Sequence, residues 1–386
     1  MQAREMIHPQ ILTDSQKRAD SILALLQEMR LDEPVRSDNM NAIDRGIYSA
    51  AFFLRRAIRI AGFWSDFNTA LGGGRDWISG YVGYALECSN AITSQDLHRA
   101  SNLLLSDRCP SGAWGYSPRV PVDADSTSWI ILFFQKSQTE WDSQKTVHIL
   151  LGHQDELTGG IRTYLGPQFG IAECMGYGPQ DDFSGWCSGH VCVTAAAVQA
   201  LIACGFDQHH PSMEKLVRFI HSTQQPDGCW NSYWFHGKAY ATAQCIRALL
   251  QIGETPESPV LQRAAHWIET TQLPDGSWND GVDGTPGRVF DTALAVWAGL
   301  DLCAPASFGK AVAWLLEKQR PDGSWDSLPI LRLPLPNEHA PWNIREWPET
   351  SKSLTQGICV DDHNRYFTTA TALQALSAWR KRGTSL

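Results

Sequence analysis

Three near-copies of one motif constrain this chain more than any other feature: Gln224–Trp230 (QQPDGCW), Gln272–Trp278 (QLPDGSW) and Gln319–Trp325 (QRPDGSW), their tryptophans 48 and 47 residues apart. Looser copies end at Trp114 (PSGAW) and, 47 residues further on, at Ile161 (HQDELTGGI). Self-similarity at this period means an array of one supersecondary unit, because a single unit cannot bury its own apolar face. Each unit reads helix, turn, helix. Amphipathic stretches such as MEKLVRFIHSTQ and LQRAAHWIETTQ precede the glutamines and suit outer helices. Pro-Asp-Gly then stops the helix, and a stretch almost free of charge follows, as in TAAAVQALIACG or TATALQALSAW. A helix apolar on most sides belongs inside.

The inner helices align on Ser79, Thr127, Thr194, Thr242, Thr292 and Thr369, and outer helices are expected near residues 45–62, 96–107, 142–153, 211–224, 258–272 and 306–319. The expected fold is therefore all-α, an (α/α)6 barrel of six helical hairpins over 41–386, with 1–40 as an N-terminal helical extension. Residues 326–362, rich in Pro and Trp, are read as a long loop before the last inner helix. An open superhelix is the alternative; six units in one chain favour closure.

With 386 residues, 43% of them apolar, the chain can bury a large core. Its 41 acidic and 32 basic residues leave a net charge of −9, which argues against nucleic acid or an anionic bilayer as partner. No apolar run of about 18 residues is present, and the opening MQAREMIHPQILTDSQKR lacks the basic-then-apolar order of a secretory signal, so a soluble cytoplasmic protein is expected. Ten cysteines without a CxxC pair read mostly as buried thiols.

Four residues before the shared Ser/Thr position stand Arg75, Asp123, His190, Lys238, Arg288 and Arg365. In a closed array these share one rim, at helix N-termini whose free N–H groups favour anions. A cationic ring there suits a diphosphate; the alternative is loop charges pairing with Asp76, Asp361 or Asp362. Two residues before the shared position stand Trp77, Asp125, Cys192, Tyr240, Phe290 and Phe367, and Trp129, Trp186, Trp234, Tyr366 and Trp297 extend the aromatic wall. Aromatic faces attract a cation without offering it a nucleophile, so such a hollow suits carbocation chemistry. The alternative is a packed aromatic core without a cavity. Asp125, near a second carboxylate at Asp123, is expected to keep its proton and act as general acid; Asp291 is the register equivalent of Ser126 and a candidate to tune it. The competing reading of Asp123 and Asp125 is helix N-capping.

The QW-type motifs, with the segment Asp123-Ala124-Asp125-Ser126-Thr127-Ser128, resemble the squalene-hopene cyclase and class II terpene cyclase superfamily over roughly residues 65–380. The family motif is Asp-x-Asp-Asp-Thr-Ala, and the resemblance implies Asp125 as proton donor with Asp123 beside it. Ser126 stands where the family has its last Asp. Oxidosqualene cyclases also have a non-acidic residue there and open an epoxide, so alkene and epoxide both stay open. Full-length class II enzymes resemble paired barrels, whereas this chain has room for one, which implies a homodimer or a site in its own mouth. No His falls within the VTAAA stretch, where squalene cyclases place a partner for the acid; His190 is the nearest substitute. More distantly the pattern resembles protein prenyltransferase β subunits, whose zinc-binding Asp-x-Cys is not found at the inner-helix starts. His190, Cys192 and His363 lack the spacing of a compact zinc motif, and no metal site is expected. No DDxxD occurs, since Asp181-Asp182 precedes Phe-Ser-Gly and Asp361-Asp362 precedes His-Asn-Arg.

The expected function is protonation-initiated cyclisation of a linear isoprenoid, foremost a prenyl diphosphate held by Arg75, His190, Lys238, Arg288 and Arg365, with magnesium accompanying the anion if it is present. The alternatives are a non-catalytic or partner-dependent isoprenoid-binding barrel and an (α/α)6 carbohydrate-active enzyme using Asp123 and Asp291.

Overall fold

The computed structural model describes residues 40–178, 180–279, 281, 284–348 and 356–383. The extension expected over 1–40 lies outside the described residues except for Met40, and Asn41–Leu386 form one compact unit. Six outer helices, α1 (Ala42–Ala61), α3 (Ser94–Asp107), α5 (Ser143–Gly152), α8 (Pro211–Ser222), α10 (Pro259–Thr271) and α12 (Gly309–Glu317), alternate with six inner helices. The inner set is α2 (Asp76–Cys88), α4 (Ala124–Ser137), α7 (Val191–Ala203), α9 (Ala239–Gln251), α11 (Val289–Gly299) and α13 (Tyr366–Lys381); α6 (Ile171–Cys174) is a single turn in a connection.

Each motif residue has a defined bonding task. In five units the indole Nε1 donates to a carbonyl ten residues earlier on the outer helix, as from Trp230 to Ile220 (2.7 Å) and from Trp325 to Leu315 (2.7 Å). The backbone N–H at the tryptophan place donates to the shared hydroxyl of the inner helix: Trp64 to Ser79, Trp114 to Thr127, Ile161 to Thr194, Trp230 to Thr242, Trp278 to Thr292 and Trp325 to Thr369. The sequence register is therefore a physical one, and Trp64 fills the place in a first unit that has no Pro-Asp-Gly turn. The turn glycines Gly228, Gly276 and Gly323 have φ of 94°, 92° and 90°, which only glycine adopts readily.

The glutamines link neighbouring units. Gln224 Nε2 donates to Gly228 O in its own turn and to Val260 O at the start of α10 (2.8 Å), and Gln272 reaches Ser307 O before α12 in the same way. Gln319 reaches Gly46 O on α1, so the last unit binds the first. Tyr81 on α2 and Thr371 on α13 share a buried hydrogen bond of 2.8 Å across the same seam. The array is a closed barrel, not an open superhelix.

Two short antiparallel ribbons depart from a purely helical reading. One pairs β1 (Asp66–Thr69) with β2 (Gly72–Gly74). The other pairs β3 (Leu331–Leu333) with β4 (Ile358–Val360) inside the segment expected to be loop, with Arg332 opposite Cys359, and a bridge from Leu331 to Phe235 fixes it against the barrel. All ten cysteines are free, but only Cys192, Cys229, Cys245 and Cys359 are buried, fewer than expected. Among the described residues no helix is long and apolar enough to cross a membrane.

Candidate active site

The start of α4 sets the two aspartates apart by one residue and by function. Asp123 is the N-cap: its carboxylate accepts the Ser126 N–H (2.7 Å) and the Ser126 hydroxyl (2.7 Å). This is the capping role weighed for both residues, and only Asp123 performs it. Ser126, at the place of the family's last Asp, thus serves as a clamp on Asp123. Asp125 follows in the first turn, buried, and its Oδ1 has no hydrogen-bond partner. Burial, and then the charge of Asp123, hold the Asp125 carboxyl well above the ordinary carboxylate range. Burial also raises Asp123, to about 6, against the opposing Ser126 bonds.

Asp125 and Asp123 line a half-open cavity, about 630 Å³ with its mouth included, whose other walls are mainly aromatic and aliphatic, Trp77, Tyr116, Tyr164, Trp186, Trp234 and Phe235 among them. Trp186 and Trp234 meet edge to face at 5.3 Å, and Trp77 lies 6.1 Å from Phe235. Phe235 also stacks on Tyr240 at 3.7 Å and marks the floor. Beneath it the interior is filled: Trp129 Nε1 donates to Tyr240 OH (3.2 Å), and Tyr81 stacks on Phe367 (4.0 Å). The ribbon β3–β4 brings Arg332 to the cavity, the one cation among its described lining residues. Arg332 is buried, Nη2 donates to Ser232 O, and Nε has no partner. Burial lowers its pKa to about 10, so it is still a cation at neutral pH.

The squalene-hopene cyclase C-terminal domain model matches residues 187–336. A substituted variant of the type II terpene cyclase MstE from Scytonema, in complex with geranylgeranyl dihydroxybenzoate (substrate), superimposes with a TM-score of 0.77 at 28% identity, covering 88% of this chain and 98% of that one. A variant of MstE in complex with merosterolic acid A (product) gives 0.76 at 29%, covering 88% and 97%. These likenesses support a member of the class II terpene cyclase superfamily. An ent-copalyl diphosphate synthase from Streptomyces platensis shares the fold at 17% identity and a TM-score of 0.56, with 79% of this cyclase matching 50% of that chain. No curated protein matches the sequence.

In this cyclase the expected rim exists as a register, since Arg75, Asp123, His190, Lys238, Arg288 and Arg365 are the N-cap residues of the six inner helices. The expected ring of free cations does not form. Arg75 pairs with Asp76 (3.1 Å) and Asp107, Lys238 with Asp227 (2.8 Å), Arg288 with Asp291 (3.3 Å) and Arg365 with Asp322 (3.0 Å). Asp227 and Asp322 are the Pro-Asp-Gly aspartates of the same units, so the repeat neutralises its own rim. His190 is buried, and desolvation lowers its pKa to about 3. None of these five side chains lines the cavity, and neither does Asp291, which faces Arg288 on its own helix turn. Trp77, Trp186 and Trp234 do line it; Trp129, Tyr240, Phe290 and Phe367 belong to the packed floor, Tyr366 leans on Phe53, and Trp297 lies under Arg247.

No three His, Cys, Asp or Glu side chains form a metal-holding group among the described residues. His363 faces Asp66, away from His190 and Cys192, and Asp362 is taken up by Thr368 and Ser327. These residues do not fit a magnesium centre. Arg332, Phe235, Tyr116 and Thr163 are cavity residues that the sequence reading missed; its one signal for Arg332 was a lone cation inside the apolar run Leu328–Leu335.

Proposed function

We propose that this cyclase protonates the terminal alkene of a linear isoprenoid joined to a compact anionic aromatic head, with Asp125 as general acid and Arg332 holding the head group. The observation that carries the reading is the buried Asp125 carboxyl, whose Oδ1 is partnerless in an aromatic cavity. Its proton is retained because ionisation would leave a desolvated charge beside Asp123. Donation to the alkene relieves that proton and leaves a tertiary cation, which the faces of Trp77, Trp186, Trp234 and Phe235 stabilise until the next double bond attacks. Asp123 is fixed by Ser126, so its position beside Asp125 is constant.

One guanidinium with unfilled donor capacity suits a carboxylate or phenolate, and the substrate bound by MstE is a benzoate. A diphosphate would need the rim cations, which are already paired. Incubation with geranylgeranyl dihydroxybenzoate and, separately, geranylgeranyl diphosphate tests both halves. A cyclic product from the benzoate, reduced by about 10²-fold or more in Asp125→Asn, is expected. Cyclisation that persists in Asp125→Asn removes the acid, and preference for the diphosphate removes the head-group assignment.

A further inference from the structure

The geometry points to Thr163 as the base that ends the cyclisation, with His190 as the positioning residue behind it that receives the proton. This rests on the cyclase reading and concerns a step that reading leaves open, the fate of the last cation.

Thr163 is a buried residue of the cavity wall. Its Oγ1 accepts Trp234 Nε1–H at 2.8 Å and lies 2.7 Å from His190 Nδ1. His190 Nε2 lies 2.9 Å from Gly185 O, and a carbonyl can only accept, so Nε2 carries the ring proton and Nδ1 is the acceptor. The Thr163 hydroxyl proton is therefore aimed at His190, and one lone pair of the oxygen is left for the cavity. The arrangement is held firmly: Arg162 bridges Gly189, the Thr163 carbonyl takes the Ala124 N–H (3.1 Å), and His190 stacks on Tyr233 at 3.7 Å.

Behind His190 is a second pocket, about 520 Å³ with its open mouth included, lined by Ser188, His190 and His339 and reaching the exposed Trp342. His190 thus lines that pocket and touches Thr163, which lines the first. Asp125 stands on the first turn of α4, whereas Thr163 and His190 lie in the segment that leads into α7. Acid and base are separate sets of residues.

In the step, the C–H bond next to the final cationic carbon breaks and its electron pair becomes the new C=C bond. The proton passes to Thr163 Oγ1 while Thr163's own proton passes to His190 Nδ1. The imidazolium then loses a proton to solvent through the second pocket, the neutral ring regains its Nε2–H form by exchange with that solvent so that Nδ1 is again the acceptor, and Asp125 recovers a proton before the next turnover. Burial keeps His190 neutral beforehand and makes that release favourable. A carbocation is so strong an acid that a weakly basic imidazole suffices.

The test compares the unaltered protein with Thr163→Val, Thr163→Ser, His190→Gln and Asp125→Asn on geranylgeranyl dihydroxybenzoate, with products resolved by mass spectrometry and NMR and folding checked by thermal unfolding. Thr163→Val should change substrate consumption by less than about tenfold while replacing the single alkene with alkene isomers and water-captured alcohols. His190→Gln should shift the products in the same direction, and Thr163→Ser should restore the original ratio. An unchanged product from Thr163→Val, or complete loss of consumption by a folded Thr163→Val protein, overturns the relay. The cyclase reading fails separately, and takes the relay with it, if the unaltered protein consumes no substrate or Asp125→Asn consumes it normally.

Discussion

Gln319 Nε2 donates to the carbonyl of Gly46 at 2.9 Å, joining residues 273 positions apart in the chain. The same nitrogen also donates to Gly323 O (3.0 Å), so one side chain anchors the last Pro-Asp-Gly turn and closes the barrel. Gln319→Ala should cost about 1–3 kcal/mol, since two bonds of about 1 kcal/mol each are lost and the freed carbonyls are only partly covered. Urea unfolding measures it; an unchanged midpoint would show that the seam is held without the glutamine.

The pH dependence of turnover follows from Asp125, which must be protonated to act. Its raised pKa means activity is present below that value and lost as pH rises through it. Asp123→Asn keeps a capping oxygen for the Ser126 N–H but removes the neighbouring negative charge. The alkaline fall in kcat should then move to lower pH. A profile that does not move would show that Asp123 has no electrostatic hold on the acid.

Arg332→Leu removes the cavity's cation and fills the space with apolar volume. Hydrogen bonds to a charged group are worth about 1.5–3 kcal/mol, so KM for geranylgeranyl dihydroxybenzoate should rise about 10- to 100-fold. The methyl ester of the same substrate should show a much smaller difference between the two proteins. Equal losses for acid and ester would mean that Arg332 serves the ribbon alone.

Stability should also vary with pH through Asp362, whose pKa is raised to about 6 by burial, with the bonds from Ser327 and Thr368 opposing. A carboxyl whose folded pKa is raised adds stability that is full below the ordinary carboxylate range and is lost as pH climbs through about 6. Unfolding midpoints at pH 4.5, 6 and 7.5 should fall in that order for this contribution, and Asp362→Asn should flatten the trend.

The barrel was legible because its period is written in side chains with repeated tasks. Gln224, Trp230 and Thr242 bond in the same way as Gln272, Trp278 and Thr292, so aligning the motifs aligned the structure. The place of Asp125 in the cavity wall was legible for a related reason, since it stands two residues before the shared Thr127 in the column that also holds Trp77. The state of the rim was not, because Lys238 and Arg365 are neutralised by Asp227 and Asp322, and pairs 11 and 43 residues apart carry no local pattern. Arg332 was hidden for another reason. It lies on a three-residue strand whose partner strand, Ile358–Val360, is distant in sequence, and only the folded ribbon brings it into the cavity wall.

The most direct test of the account is turnover of geranylgeranyl dihydroxybenzoate in D2O. Proton transfer from exchanged Asp125 to the terminal alkene should place one deuterium on the ring methylene next to the gem-dimethyl carbon of the cyclic product, and Asp125→Asn should form no such product. A cyclic product without deuterium at that carbon, or one formed equally by Asp125→Asn, would contradict it.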